Sequence, residues 1–148
     1  MSWKALLASR TVQQHKTSIK EIEGLRQLVT RDLADAAIEE LSADRRFATA
    51  YNAVLQLSKM AIACAGYRVT SGTGHHQKTF EAVKTALGKP SEPLADYFDT
   101  CRRKRNLIDY DSSEVVTDTE AEELLEKAEE FQEMVEEWIT KHHPTFKA

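Results

Sequence analysis

The sequence predicts an all-α fold, a compact bundle of four to five helices. Three observations carry that expectation. Apolar residues recur at steps of three and four through several long stretches. Gly and Pro number 5 and 3, too few for the frequent turns of an all-β chain. Cap and stop residues fall between the periodic stretches rather than inside them. At 148 residues the chain suits one domain with a single core.

The first stretch, residues 1–17, is polar with scattered Trp3, Leu6, Leu7 and Val12, and reads as an arm or a short helix. A helical domain is expected over 18–141. Its first helix carries Ile19, Ile22, Leu25, Val29, Leu33, Ala36 and Ala37 at helical spacing. Its second starts at Ser42 or Asp44 as N-cap and shows the stripe Phe47, Tyr51, Val54, Ser58, Ala61 and Ala65. The small residues on it allow close approach of a neighbour, and Gly66 supplies a C′ position. Tyr67 to His75 reads as a loop, with turn chemistry from Ser71, Gly72, Thr73 and Gly74.

A third helix follows with Phe80, Val83 and Leu87, stopped by Gly88 and Pro90. Ser91 is the expected cap of a fourth, with Pro93 in its first turn and the stripe Leu94, Phe98, Cys101, Arg105 and Ile108. Asp109 to Val116 reads as a second loop. Thr117 and Glu120 form a capping box for a fifth helix, whose seam is Leu124, Ala128, Phe131, Val135 and Trp138. Residues 142–148 are expected to fray.

Composition narrows the function classes. The net charge is -4, so nucleic-acid binding has to come from a local patch. Two cysteines, Cys64 and Cys101, exclude a disulfide framework and a Cys-rich zinc site. No apolar run reaches membrane length and no signal-peptide core follows Met1, so a reduced, cytoplasmic location away from membranes is expected. Dinucleotide fingerprint, P-loop, HExxH and nucleophile elbow are all missing, and no cofactor or metal is expected.

Arg105 is the informative position, a charge on an apolar stripe. Such a residue is buried with a partner or faces a cleft or subunit interface. It ends a block of four cations, Arg102 to Arg105, and Asn106 and Tyr110 follow. One turn brings Arg102, Arg105 and Asn106 to one side, whereas Arg103 and Lys104 point elsewhere. Arginine's planar fork matches phosphate, and asparagine adds neutral hydrogen bonds. The plainer alternative is a solvated basic patch at a helix C-terminus. His75 and His76 follow a Gly-rich loop at a helix start, where phosphate binding or proton transfer near neutral pH is feasible. Adjacent histidines diverge on a helix, so they do not chelate a metal together.

The run from Arg102 to Asn106 with Tyr110 resembles the signature region of HEPN domains (higher eukaryotes and prokaryotes nucleotide-binding). So does the order of parts: a long Ala-rich helix, Gly66-Tyr67, the loop at Gly74 to His76, the Arg-rich helix and an acidic last helix. The resemblance covers Ile19 to Ile139. It implies a compact helical bundle that homodimerises, with two Arg motifs meeting in a composite cleft. Many members are metal-independent endoribonuclease toxins paired with a nucleotidyltransferase antitoxin. In those an Arg-Asn pair is followed, five residues after the Arg, by a His. Arg105 and Asn106 match; the His position is Tyr110 here, and a tyrosine, with pKa about 10, is a poor base at neutral pH.

The resemblance therefore implies catalytic candidates Arg105, His75 and His76, and phosphate-binding candidates Arg102, Arg103, Arg105, Asn106 and Tyr110. Three readings follow, in order: an RNA- or nucleotide-binding dimer with weak or no cleavage, an active RNase using His75 or His76, and a structural partner-binding bundle.

Overall fold

The computed structural model describes residues 2–110 and 115–148, with Asp109 and Tyr110 described by backbone alone. In chain order it contains α1 (Trp3–Ala8), β1 (Val12–Gln14), α2 (Ile19–Ala36), α3 (Ala43–Cys64), β2 (Tyr67–Val69), α4 (His75–Leu87), α5 (Glu92–Tyr110) and α6 (Asp118–His142). Short 3-10 turns precede α5 and follow α6. The predicted helical bundle is observed, with six α-helices among the described residues where four to five were expected and a two-stranded ribbon besides, and none of the described helices is long and apolar enough to cross a membrane.

Helix α3 is the centre. It packs most extensively on α2 and α6, and α4 and α5 close its remaining side. Thirteen of its side chains are buried, Phe47, Tyr51, Val54 and Leu57 among them, so it is apolar around most of its circumference, as a central helix has to be. Ser42 Oγ accepts from Arg45 N and caps its start. Gly66 takes φ +100° directly after its C-cap, a conformation that favours glycine, and its carbonyl accepts from His15 N.

Phe98 of α5 stands edge-on to Phe131 of α6 at a centroid distance of 5.1 Å and tilts against Phe80 of α4 at 6.3 Å. Aromatic contacts of this kind contribute about 0.5–1.5 kcal/mol beyond their buried area. They fix α5, and with it the Arg-rich segment, against the centre of the bundle.

Three expectations need correction. The stretch Tyr67 to His75 is not all loop: Tyr67–Val69 pairs antiparallel with Val12–Gln14, with Val12 opposite Val69. Of the two readings of residues 1–17 the short helix is present as α1, and the segment is held in the fold, with Leu6 and Val12 buried and Trp3 stacked on Tyr67 at 4.2 Å. Ser91 does not cap α5 from outside; its hydroxyl donates to Gly88 O within a 3-10 turn that runs into the helix. The last residues are not simply frayed, because Phe146 packs against the core and its carbonyl accepts from half-buried Arg26.

The second predicted loop starts later than expected, since α5 continues through Tyr110; residues 111–114 lie outside the described residues. The Thr117–Glu120 capping box is present in both directions. Beyond the box, Asp44 of α3 accepts from Val116 N at 2.9 Å, and Arg46 reaches Asp118 at 2.6 Å. These contacts tie the entry of α6 to the start of α3.

Candidate functional site

Three helices build the site: α5 supplies Arg102 and Arg105 one turn apart, the first turn of α4 supplies His75 and His76, and α3 supplies Tyr51 and Lys59. Tyr51 is fully buried, edge-on to Phe80, and its Oη lies 3.2 Å from His76 Nδ1. That hydrogen bond orients the imidazole.

The electrostatics show which charges gather there. Burial lowers the pKa of His76 first of all, and the fields of His75, Arg105, Arg102 and Lys59 lower it further. Burial likewise raises the Tyr51 hydroxyl pKa, and Arg102 and Arg105 partly oppose that rise. Arg102 and Arg105 therefore act on both members of the pair formed by buried Tyr51 and half-buried His76, and Lys59 acts on His76. A neutral imidazole among full cations is the physical consequence, since a further positive charge there costs both desolvation and repulsion.

His75 is held differently. Its Nδ1 lies 3.0 Å from Thr70 O, which accepts and cannot donate, so Nδ1 carries the proton. In the neutral ring Nε2 then holds the lone pair. Arg102 Nε donates to Asp99 Oδ1 at 3.0 Å, one turn back on α5. That fixes the stem of Arg102 and leaves its terminal nitrogens for other acceptors.

Not every candidate joins the cluster. Arg103 is exposed and lines a separate groove of about 410 Å³ with Lys104, Leu107 and Glu123, on the side of α5 that faces α6. Arg103 thus faces another side of α5 from Arg102, since about 100° of helical rotation separates adjacent residues. Lys104 pairs with Glu120 of α6, whose carboxyl is held below its ordinary range chiefly by that contact. The acidic last helix thus neutralises part of the basic block, through Lys104. Asn106 is exposed next to Arg105. The side chain of Tyr110 lies outside the described residues.

Tyr51 and Lys59 were not singled out from the sequence. Tyr51 sits on the stripe of α3 and looks like any core aromatic, although a buried phenol needs a partner for its hydroxyl, and that requirement was the available signal. Lys59 is an exposed lysine with no signal in its local sequence.

Comparison with family models gives a match to the HEPN domain over residues 31–138, well over half of the chain and inclusive of α3, α4, α5 and most of α6. Searches of curated proteins and of solved structures give no match.

Proposed function

The chain belongs to the HEPN domain family, and from that premise we propose that Arg102, Arg105 and Asn106 bind the phosphates of RNA or a nucleotide, in a cleft completed by a second copy of the chain, with weak or no cleavage. One observation carries the reading. In a chain of net charge -4, the fields of two arginines from α5 and a lysine from α3 converge on a half-buried, neutral histidine. Asp99 offsets part of that charge at Arg102, and a phosphate between the cations would add acceptors matched to the guanidinium forks.

The chemistry follows from the residue types. Each guanidinium presents paired N–H donors that fit two phosphate oxygens at once. Asn106 adds a neutral donor and acceptor beside Arg105. Cleavage at a ribose 2′-OH requires in addition a base, and Tyr110 stands where the family's ribonucleases carry histidine. A phenol of ordinary pKa about 10 is almost wholly protonated at neutral pH, so the step that starts cleavage is starved of a base. The same reading includes the homodimer and a nucleotidyltransferase antitoxin as the partner type, in a toxin–antitoxin or defence setting.

The test is RNA affinity of the parent and of Arg105→Ala, with the oligomeric state measured in parallel. Lower affinity in a variant whose oligomeric state is unchanged supports the proposal. Equal affinity sinks it and leaves a structural, partner-binding bundle.

A second reading, metal-independent cleavage, is favoured by the geometry of His75. With Nδ1 held by Thr70 O, its Nε2 is a lone-pair nitrogen beside the cationic cluster. Incubation with mixed RNAs in EDTA tests it. Cleavage with 2′,3′-cyclic phosphate ends, lost in the His75→Ala/His76→Ala double variant, establishes it. A double variant that cleaves as well as the parent refutes it.

A further inference from the structure

A cavity of about 460 Å³, within the range of small-molecule pockets, lies at the opposite end of α4 from His75 and His76. Ala86 in its wall stands about 16 Å along the helix axis from His75. Tyr51, Lys59, His75, His76, Arg102 and Arg105 all lie outside its lining, so it is distinct from the site described above.

Its walls are aromatic. Both tryptophans of the chain, Trp3 and Trp138, line it. Tyr67 stacks on one face of Trp3, nearly parallel at 12°, so a ligand meets the other face. His143 and His142 tilt against Trp138 at centroid distances of 4.8 and 6.0 Å. Ala65, Ala86 and Leu87 supply apolar surface between the indoles.

Three helices end at this cavity: α3 at its C-cap Ala65, α4 at Gly88 and α6 at His143. The last carbonyls of a helix lack intrahelical donors and carry its partial negative charge. Among the described residues no Lys, Arg, Asp or Glu lines the cavity. Helix α3 has no basic residue in its last turn. Lys84, in the last turn of α4, pairs with Asp96 of α5 instead. Lys141, in the last turn of α6, is exposed and outside the lining. Burial, before the field of His142, lowers the pKa of His143, so its imidazole is neutral at neutral pH. Exposed Glu129, Glu133 and Glu137 on the turns of α6 before Trp138 add a negative field outside.

These features discriminate between ligands. An anion meets three negative helix ends and no cationic side chain. A neutral apolar molecule leaves the terminal carbonyls without donors. A bare metal ion finds no carboxylate and leaves the indole faces unused. A guanidinium is planar, stacks on indole, and carries N–H donors around its edge for carbonyl oxygens. We propose that this cavity binds an alkylguanidinium cation, with the guanidinium against the indoles and the helix ends and the alkyl part on Ala65, Ala86 and Leu87.

Because both tryptophans line the cavity, intrinsic fluorescence of the full chain reports its occupancy directly. Butylguanidine is titrated beside butylurea, its neutral near-isostere, and calorimetry repeats the measurement on Trp138→Leu, Ala86→Leu and Arg105→Ala. The expected result is saturable butylguanidine binding with Kd on the order of 1 mM or tighter, and butylurea at least about tenfold weaker. Trp138→Leu should weaken binding about fivefold, the size of one lost cation–π contact. Ala86→Leu, which adds bulk to the wall and removes no packing, should weaken it too, and Arg105→Ala should leave it unchanged. A blocked Gly-Arg-Gly peptide separates the two sources of the group. Tighter binding than butylguanidine assigns the cavity to an arginine side chain of a protein, and equal or weaker binding assigns it to a free guanidine compound. Three results overturn the proposal: no saturable butylguanidine binding in that range, butylurea binding as tight as butylguanidine, or parental affinity in both Trp138→Leu and Ala86→Leu.

Discussion

Salt dependence gives the sharpest test of the arginine cluster. Replacing Arg102 and Arg105 together by alanine removes two of the three full cations whose fields converge on His76, and Lys59 remains. On a single strand, each neutralised phosphate contributes about -0.7 to the slope of log affinity against log salt concentration. Three contacts therefore give the parent a slope of about -2 per protomer, and one remaining contact gives the double variant about -0.7. Between about 50 and 200 mM salt the parent should lose roughly twentyfold in affinity and the variant about threefold.

Fluorescence anisotropy with a labelled single-stranded RNA at four salt concentrations measures both slopes. Loss of the Arg102–Asp99 pair should itself cost little stability. The Arg102–Asp99 pair is partly exposed on both sides, and a pair of that kind contributes at most about 1 kcal/mol. A thermal melt of the variant checks this. If parent and variant share one slope, the phosphates are held elsewhere and the reasoning fails. A parent slope indistinguishable from zero refutes it as well, because phosphate binding without counterion release has no physical basis.

Three further outcomes follow from the same structure. Arg26→Met should cost about 1–3 kcal/mol in urea denaturation, because Arg26, with its side chain 12% exposed, donates twice to Glu136 and also to the Phe146 carbonyl, so that the change strands a carboxylate and unties the C-terminal turn. Cys64 and Cys101 are buried with thiol pKa values pushed up to about 11, so both should resist a thiol reagent at neutral pH until the chain unfolds; rapid labelling of the native protein contradicts that. Because the folded pKa of His76 lies below its ordinary value of 6.5, the unfolded chain takes up the proton first as pH falls. The stability tied to neutral His76 is thus complete above that ordinary value and is lost as pH falls through the folded one, and His76→Gln should flatten that part of a pH–stability profile.

The helices were legible because their signals are local. The Thr117–Glu120 box and the Gly66 and Gly88 stops each need a few neighbouring residues, and the apolar steps of α3 and α6 extend over six turns or more. The β-ribbon was not legible. Its strands are three residues each, too short to show a period, and they pair across more than fifty residues. The same limit applies to Arg46 and Asp118, which meet across 72 residues, and to Asp32, buried on a helix read as apolar stripe plus polar face. In the candidate site, Arg105 was visible as a charge on an apolar seam, and helical rotation already set Arg103 aside. The partnership of Tyr51 with His76 was not visible, because nothing in either local sequence refers to the other.

The two adjacent histidines are held as opposite tautomers, and this decides what each can do. A buried phenol has to place its proton, and Nδ1 of the neutral His76 ring is the acceptor within reach, at 3.2 Å from Tyr51 Oη. Donation from Tyr51 puts the ring proton of His76 on Nε2. His76 then presents a donor, suited to a phosphate oxygen and unsuited to taking a proton. His75 is the reverse, since Thr70 O claims the Nδ1 proton and leaves Nε2 as the acceptor. If this chain cuts RNA, the base is therefore His75, and His76 belongs with Arg102 and Arg105 in holding the phosphate. The single variants separate the roles. His75→Ala should abolish cleavage and leave affinity near the parent's, and His76→Ala should weaken affinity. Tyr51→Phe removes the donor that sets the His76 tautomer and frees the ring to place its proton on Nδ1, so it should weaken binding with His76 still present. Affinity unchanged in both His76→Ala and Tyr51→Phe would falsify the assignment of His76 to phosphate.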